Sequence, residues 1–165
     1  MPNQPAGSPT PPAPTPSPLS QANQGVMTGT KTAEDAPWTF ADFEPGAPLG
    51  VIVLPVDAER RALWDQVYGR SVGPAGAAVP QGLIVALMMD AYVKVIQPRP
   101  PGNVHAMQSL SFTGQRVTWG DTIHFDFSVG GKEMKRERRW VTFQVAARTE
   151  TDAVMSGEIR AIWAA

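Results

Sequence analysis

Residues 81–96 read Gln-Gly-Leu-Ile-Val-Ala-Leu-Met-Met-Asp-Ala-Tyr-Val-Lys-Val-Ile. A helix of this composition is apolar nearly all round, so it must be covered on most of its sides. Pro80 stands well at or near its start, and Pro98, Pro100 and Pro101 close it. A membrane span would need ~20 apolar residues free of central charge. This run is shorter, and Asp90 and Lys94 fall four residues apart, where they can pair along one exposed edge. The segment is therefore read as the central helix of a soluble domain, with no membrane partner. The rest of the fold has to wrap it.

The wrapping material is strand. After Gly102, Val104, Ala106, Gln108, Leu110 and Phe112 alternate with Asn103, His105, Met107, Ser109 and Ser111. Beyond a turn at Trp119-Gly120-Asp121, a second alternating run covers Ile123, Phe125, Phe127 and Val129, and Gly130-Gly131 predicts a hairpin turn. Residues 140–148 and 154–163 form two more strands about a polar turn at residues 150–152. Upstream, Val51-Ile52-Val53-Leu54 is a short β-branched strand stopped by Pro55. Asp57 then caps a helix beginning near Ala58, in which Leu63, Trp64, Val67 and Tyr68 share a face. Residues 69–76 are too rich in glycine for regular structure. One strand, a buried helix and four strands in series give an α+β domain, an antiparallel sheet with its long helix on one face.

That domain is expected over residues 37–165. Eight prolines fall in the first eighteen residues, and no charged residue precedes Lys31. Residues 1–36 are read as a disordered, Pro-rich tail with too little apolar surface to offset ordering; the alternative is a docking arm for a partner. The segment lacks the charged start and apolar run of a signal peptide, so the expected address is cytoplasmic. Fourteen Lys and Arg against fifteen Asp and Glu argue against a nucleic-acid partner. The absence of cysteine excludes disulfides, thiolate metal sites and a cysteine nucleophile, and two histidines are too few for a multi-histidine metal site.

Four stretches, in order, resemble the MaoC-like, (R)-specific enoyl-CoA hydratase branch of the hotdog fold. Phe43-Glu44-Pro45-Gly46 is similar to the family's opening turn, and Val79-Pro80-Gln81-Gly82-Leu83 to its Ile/Val-x-His-Gly-Met/Leu helix start. Gln108-Ser109-Leu110-Ser111-Phe112 with Gly120-Asp121 resembles its second strand and following turn, and Val154-Met155-Ser156-Gly157-Glu158 its last strand. The resemblance covers roughly residues 38–163. It implies a five-stranded antiparallel sheet wrapped around one long helix, and an acyl thioester as the bound partner. Hydratase or dehydratase chemistry follows, with coenzyme A entering as part of the substrate and no separate cofactor. It also implies a dimer, either with a second copy or with another hotdog chain.

The family's signature Gly-Asp-x-Asn-Pro-x-His, whose Asp and His act as acid and base, is missing. Tyr68-Gly69 aligns with its start, but Arg70 follows, and Ala75 stands where the histidine belongs. The resemblance leaves the electrophile-binding half of the site. The amide of Gly82 would hold the thioester carbonyl oxygen at a helix N-terminus, and Gln81, in the family's His position, can hydrogen-bond but cannot act as a base. Simple close packing would also explain a glycine at position 82. Among titratable groups, His105 is the first candidate for proton transfer. Strict alternation places it on the face opposite Leu110 and Phe112, from which only a bulge or a neighbouring protomer would bring it into a pocket. Asp65 is the second, Tyr68 a weaker one, and His124 reads as a solvated strand residue beside Asp126. Residues 132–139 hold five basic and two acidic side chains. Arg136 and Arg138 are candidates to clamp coenzyme A phosphates, or simply charges that keep an exposed hairpin from aggregating. Two further functions stay open: a non-catalytic subunit of a heteromeric hydratase, and a thioesterase using Asp90.

Overall fold

The computed structural model describes residues 31, 34–69 and 77–164. Most of the Pro-rich tail and the glycine-rich stretch at residues 70–76 lie outside the described residues. Lys31, assigned above to the tail, already contacts the domain: its ammonium lies 2.9 Å from the Asp42 carboxylate and 5.2 Å over the Trp38 ring.

Five strands form one sheet: β1 (Pro48–Pro55), β2 (Val104–Phe112), β3 (Thr122–Lys135), β4 (Arg138–Arg148) and β5 (Ala153–Trp163). Their spatial order is β1-β3-β4-β5-β2, and every neighbouring pair is antiparallel. Two helices precede β2: α1 (Ala58–Tyr68) and α2 (Gln81–Val95). The Asp57 carboxylate accepts the Arg60 amide at 3.0 Å and caps α1, as the sequence predicts. Lys94 reaches Asp90 at 2.7 Å on the outer edge of α2.

The sheet wraps α2 as the sequence requires. Leu83, Ile84, Leu87, Met88, Ala91, Tyr92 and Val95 are all buried against its inner face. Near the helix C-terminus, Phe43 meets Trp163 and Phe143 edge-on at 4.9 and 5.3 Å, and Trp38 stacks on Phe43 at 5.1 Å. The Trp163 indole donates to the Trp38 carbonyl at 2.7 Å, so the last strand clasps the segment that enters the domain.

Three expectations need correcting. The β3–β4 turn is not at Gly130-Gly131. The ladder continues through both glycines with an irregularity there, and the chain reverses at Arg136-Glu137, between the paired residues Lys135 and Arg138. Both turn residues hold positive φ, 51° and 60°, the twist a two-residue hairpin loop demands even without glycine. Gly130 serves packing: a Cβ there would lie 2.9 Å from the Gln144 amide nitrogen. Second, the shared apolar face of α1 stays at the surface, with only Trp64 packed against the core. None of its residues is buried, and Leu63, Val67 and Tyr68 are exposed. Third, β2 does not alternate strictly. Its register with β5 shifts between His105 and Met107, so His105 pairs with Ala161, Met107 with Arg160 and Gln108 with Ile159. Because Ala161 and Ile159 are buried inner-face residues, the bulge at Ala106 turns His105 onto the same face as Gln108, Leu110 and Phe112.

Candidate functional site

The N-terminus of α2 is anchored by its neighbours. Val79 donates to the Val117 carbonyl at 2.7 Å, and Leu83 and Ile84 donate back to Pro80 at 3.0 and 3.4 Å. Pro80 supplies no side-chain cap. The amides of Gln81 and Gly82 have no acceptor among the described residues, as expected for a first helical turn. Both residues are exposed. These N–H groups, at the positive end of the helix dipole, suit an oxygen that carries or develops negative charge.

Trp64 roofs this position. A Cβ on Gly82 would lie 3.1 Å from its Cη2, so glycine is what lets the indole sit against the helix start. The Trp64 and Tyr68 rings follow each other at 4.2 Å. With Leu63, Val67, Leu83 and Ala86 they line a mainly apolar groove of 280 Å³. Trp64, which the sequence placed only on the shared face of α1, is thus the main element of the candidate site that sequence reasoning missed. It lies eighteen residues upstream of Gly82, and no motif links the two.

The other candidates are dispersed. Asp65 shares a helix face with Arg61, whose guanidinium stands 5.3 Å over the Trp119 ring. One Asp65 carboxylate oxygen and the Trp119 indole nitrogen are buried without a hydrogen-bond partner among the described residues. This carboxylate adjoins the roof of the groove but is not among its lining residues. His105 lies at the opposite end of α2. Its ring meets Tyr92 edge-on at 6.2 Å, and Tyr92 follows Gly82 by ten residues, about 15 Å of helix rise. Burial pushes the Tyr92 phenol up to about 12, while Arg99, 5.8 Å over the ring, pulls the other way. Its hydroxyl is also buried without a partner among the described residues.

Arg136 and Arg138 occupy the tip of the β3–β4 hairpin, where they line a polar recess of 450 Å³ with Lys135 and Trp140. On the same hairpin, Lys132 donates to the carbonyls of Phe40 and Ala41 at 3.2 and 3.1 Å, and Arg139 pairs with Trp163. The hairpin tip therefore lies toward the Trp38–Trp163 end of the domain, and the structure does not bring these arginines together with Gly82. His124 stands 3.1 Å from the Glu150 carboxylate rather than engaging Asp126, which faces Arg148 at 3.5 Å. Among the described residues no group of three His, Cys, Asp or Glu side chains could hold a metal ion, and no helix is long and apolar enough to cross a membrane.

No protein-family model matches the chain, and no curated protein matches it. Solved structures do. The unliganded R-hydratase PhaJ1 from Pseudomonas aeruginosa superposes with a TM-score of 0.61 at 20% identity, over 75% of this chain and 84% of that one. A MaoC-like dehydratase from Rhodospirillum rubrum gives 0.61 at 17% identity, over 74% and 94%. The fluoroacetyl-CoA thioesterase FlK gives 0.56 at 19% identity, over 73% and 87%. At such identities the likeness speaks for the fold alone. The chain has the hotdog fold.

Proposed function

We propose that the chain binds acyl thioesters of the coenzyme A type, with the thioester carbonyl accepting from Gly82 N–H and the acyl group lying under Trp64 and Tyr68. The observation that carries this reading is a first-turn amide with no acceptor among the described residues, at a glycine that packs against Trp64 and adjoins Leu83, both of which line an apolar groove. The chemistry it suits is that of a hydratase or dehydratase. When a nucleophile adds to the β-carbon of an enoyl thioester, negative charge gathers on the carbonyl oxygen, where a preset donor contributes about 10²–10³ in rate. Gln81, exposed beside Gly82, can add a neutral hydrogen bond. Coenzyme A belongs to the substrate in this reading, and no other cofactor is invoked.

A second reading is a non-catalytic subunit that shapes the acyl groove for a second hotdog chain. It is favoured by one observation: among the described residues, neither histidine nor any carboxylate lines the groove. Thioesterase chemistry through Asp90 is disfavoured, because that carboxylate is tied to Lys94 and stands eight residues, about 12 Å of rise, beyond Gly82.

Titration with butyryl-CoA, followed through the backbone amide of Gly82 and the indole of Trp64 by NMR, tests the binding reading. Both signals are expected to shift. Gly82→Ala is expected to lower affinity tenfold or more while the domain stays folded, since the new methyl displaces Trp64 by only a few tenths of an ångström. Signals unmoved at millimolar butyryl-CoA would refute the reading.

A further inference from the structure

We infer that the recess at the tip of the β3–β4 hairpin binds a nucleoside diphosphate, its phosphates held by Lys135, Arg136 and Arg138 and its base set against Trp140. The site is independent of the acyl-thioester reading, because it lies on the face of the sheet turned away from α2.

The register fixes that face. Val141 and Phe143 are buried on the inner side of β4, where Phe143 meets Tyr92 of α2 at 5.3 Å. Alternation therefore sends Arg138 and Trp140 to the outer side. Lys135 pairs with Arg138 and Glu133 with Trp140 in a stretch of ladder without irregularity, which places them on the same side. Arg136 joins them from the turn. The recess lined by Lys135, Arg136, Arg138 and Trp140 measures 450 Å³, within the range of about 300–1,000 Å³ usual for small-molecule sites.

The residues at this tip work against the hairpin they form. Lys135 and Arg138 stand directly opposite in the last rung before the turn, and like charges so placed destabilise a strand pair. Between them, Arg136 and Glu137 hold positive φ, where asparagine or glycine would sit more readily. None of the three cations has an ion-pair partner among the described residues. Glu133, the acid on the same face, is committed to Arg160, whose guanidinium lies 5.1 Å over the Trp140 ring. A segment that only reversed the chain would be more stable with opposite charges across the rung and glycine in the loop. A polyanion set among the three cations turns their repulsion into attraction.

The walls of the recess name the ligand class. Guanidinium forks and an ammonium match phosphate oxygens. Glu137 is the single acid within the turn, so positive charge stays in excess and suits a group with more than one negative charge. Trp140 is the one aromatic wall, steadied by Arg160, and a flat base stacks on an indole whatever its identity. Cations that line a concavity favour a small ligand over a membrane surface. A chain of formal net charge −1 offers no basic stripe for a long nucleic acid.

The test titrates the full chain, at low salt, with ADP, pyrophosphate and adenosine. ADP is expected to raise the thermal midpoint and to move the Trp140 indole N–H signal, pyrophosphate to bind more weakly, and adenosine to do neither. Arg138→Gln is expected to lower ADP affinity about tenfold or more. Because it also removes the like-charge rung, it should raise the midpoint of the free protein by about 1 °C. A variant that is more stable yet binds less cannot be a folding defect. Trp140→Leu is expected to lower ADP affinity about tenfold while leaving pyrophosphate binding in place. No response to millimolar ADP or pyrophosphate would overturn the proposal, as would Arg138→Gln binding ADP like the wild type. Pyrophosphate binding equal to that of ADP would overturn the role of Trp140. Phosphatidylglycerol vesicles or single-stranded DNA that bind where ADP does not would overturn the small-ligand assignment. In Arg138→Gln the butyryl-CoA shift of the Gly82 amide is expected to persist, and its loss would overturn the independence of the two sites. A Gly82 amide unmoved by butyryl-CoA while ADP moves Trp140 would refute the acyl reading and uphold this one.

Discussion

Gly157→Ala tests how tightly β2 is held to the rest of the sheet. Gly157 pairs with Leu110. A Cβ built there would overlap the carbonyl oxygen of Ser109 and lie 2.7 Å from Leu110 Cδ2 and 3.0 Å from Leu110 Cα. Carbon atoms in ordinary contact sit about 3.5–4.0 Å apart, so β2 must retreat from β5 by about 0.5–1 Å at its centre. The obstacle is backbone, which cannot rotate aside as a side chain would. Overpacking of this kind costs about 1–3 kcal/mol, and hydrogen bonds of the β2–β5 ladder stretch as well. For a domain of this size the cost lowers the midpoint by about 2–4 °C per kcal/mol. Thermal unfolding followed by circular dichroism is therefore expected to show a loss of several degrees. Hydrogen exchange should locate it, with faster exchange in β2 and little change in β3 and β4. A midpoint equal to wild type, with β2 exchange unaltered, would refute the packing described here.

Two further outcomes follow from titratable groups. The backbone amide of Thr39 and the ammonium of Lys31 hold the Asp42 carboxyl below its usual range. A depressed folded value means the stabilisation is present at neutral pH and is lost as pH falls through that value; urea unfolding of Asp42→Asn is expected to show a deficit at pH 7 that closes toward pH 2–3, and an equal deficit at both would refute it. Burial raises the Tyr92 phenol from 10.0 to about 12, so the wild type is expected to lose stability as pH rises from 10 to 12 whereas Tyr92→Phe does not; at neutral pH, Tyr92→Phe leaves the stability of the single chain nearly unchanged, because the hydroxyl it removes has no partner among the described residues.

Much of the fold was legible because its signals are strong and local. Proline on both sides of an apolar run defines α2 within a residue of its observed end, and the alternation of Ile123, Phe125, Phe127 and Val129 gives the inner face of β3 directly. The failures share a cause. A bulge adds one residue to a strand without altering its composition, so nothing in Val104-His105-Ala106-Met107 announces that His105 and Gln108 will share a face. The hairpin turn was misplaced for the converse reason. Glycine pairs are the usual residues for positive φ, yet here the β3–β4 ladder is long enough to hold Arg136 and Glu137 there. That shift set the location of the basic cluster: the charges were visible in sequence, but their distance from Gly82 depended on where the chain turned. The candidate site was half legible, since Gly82 and Gln81 open a helix the sequence defines, while Trp64 reaches them only through tertiary packing.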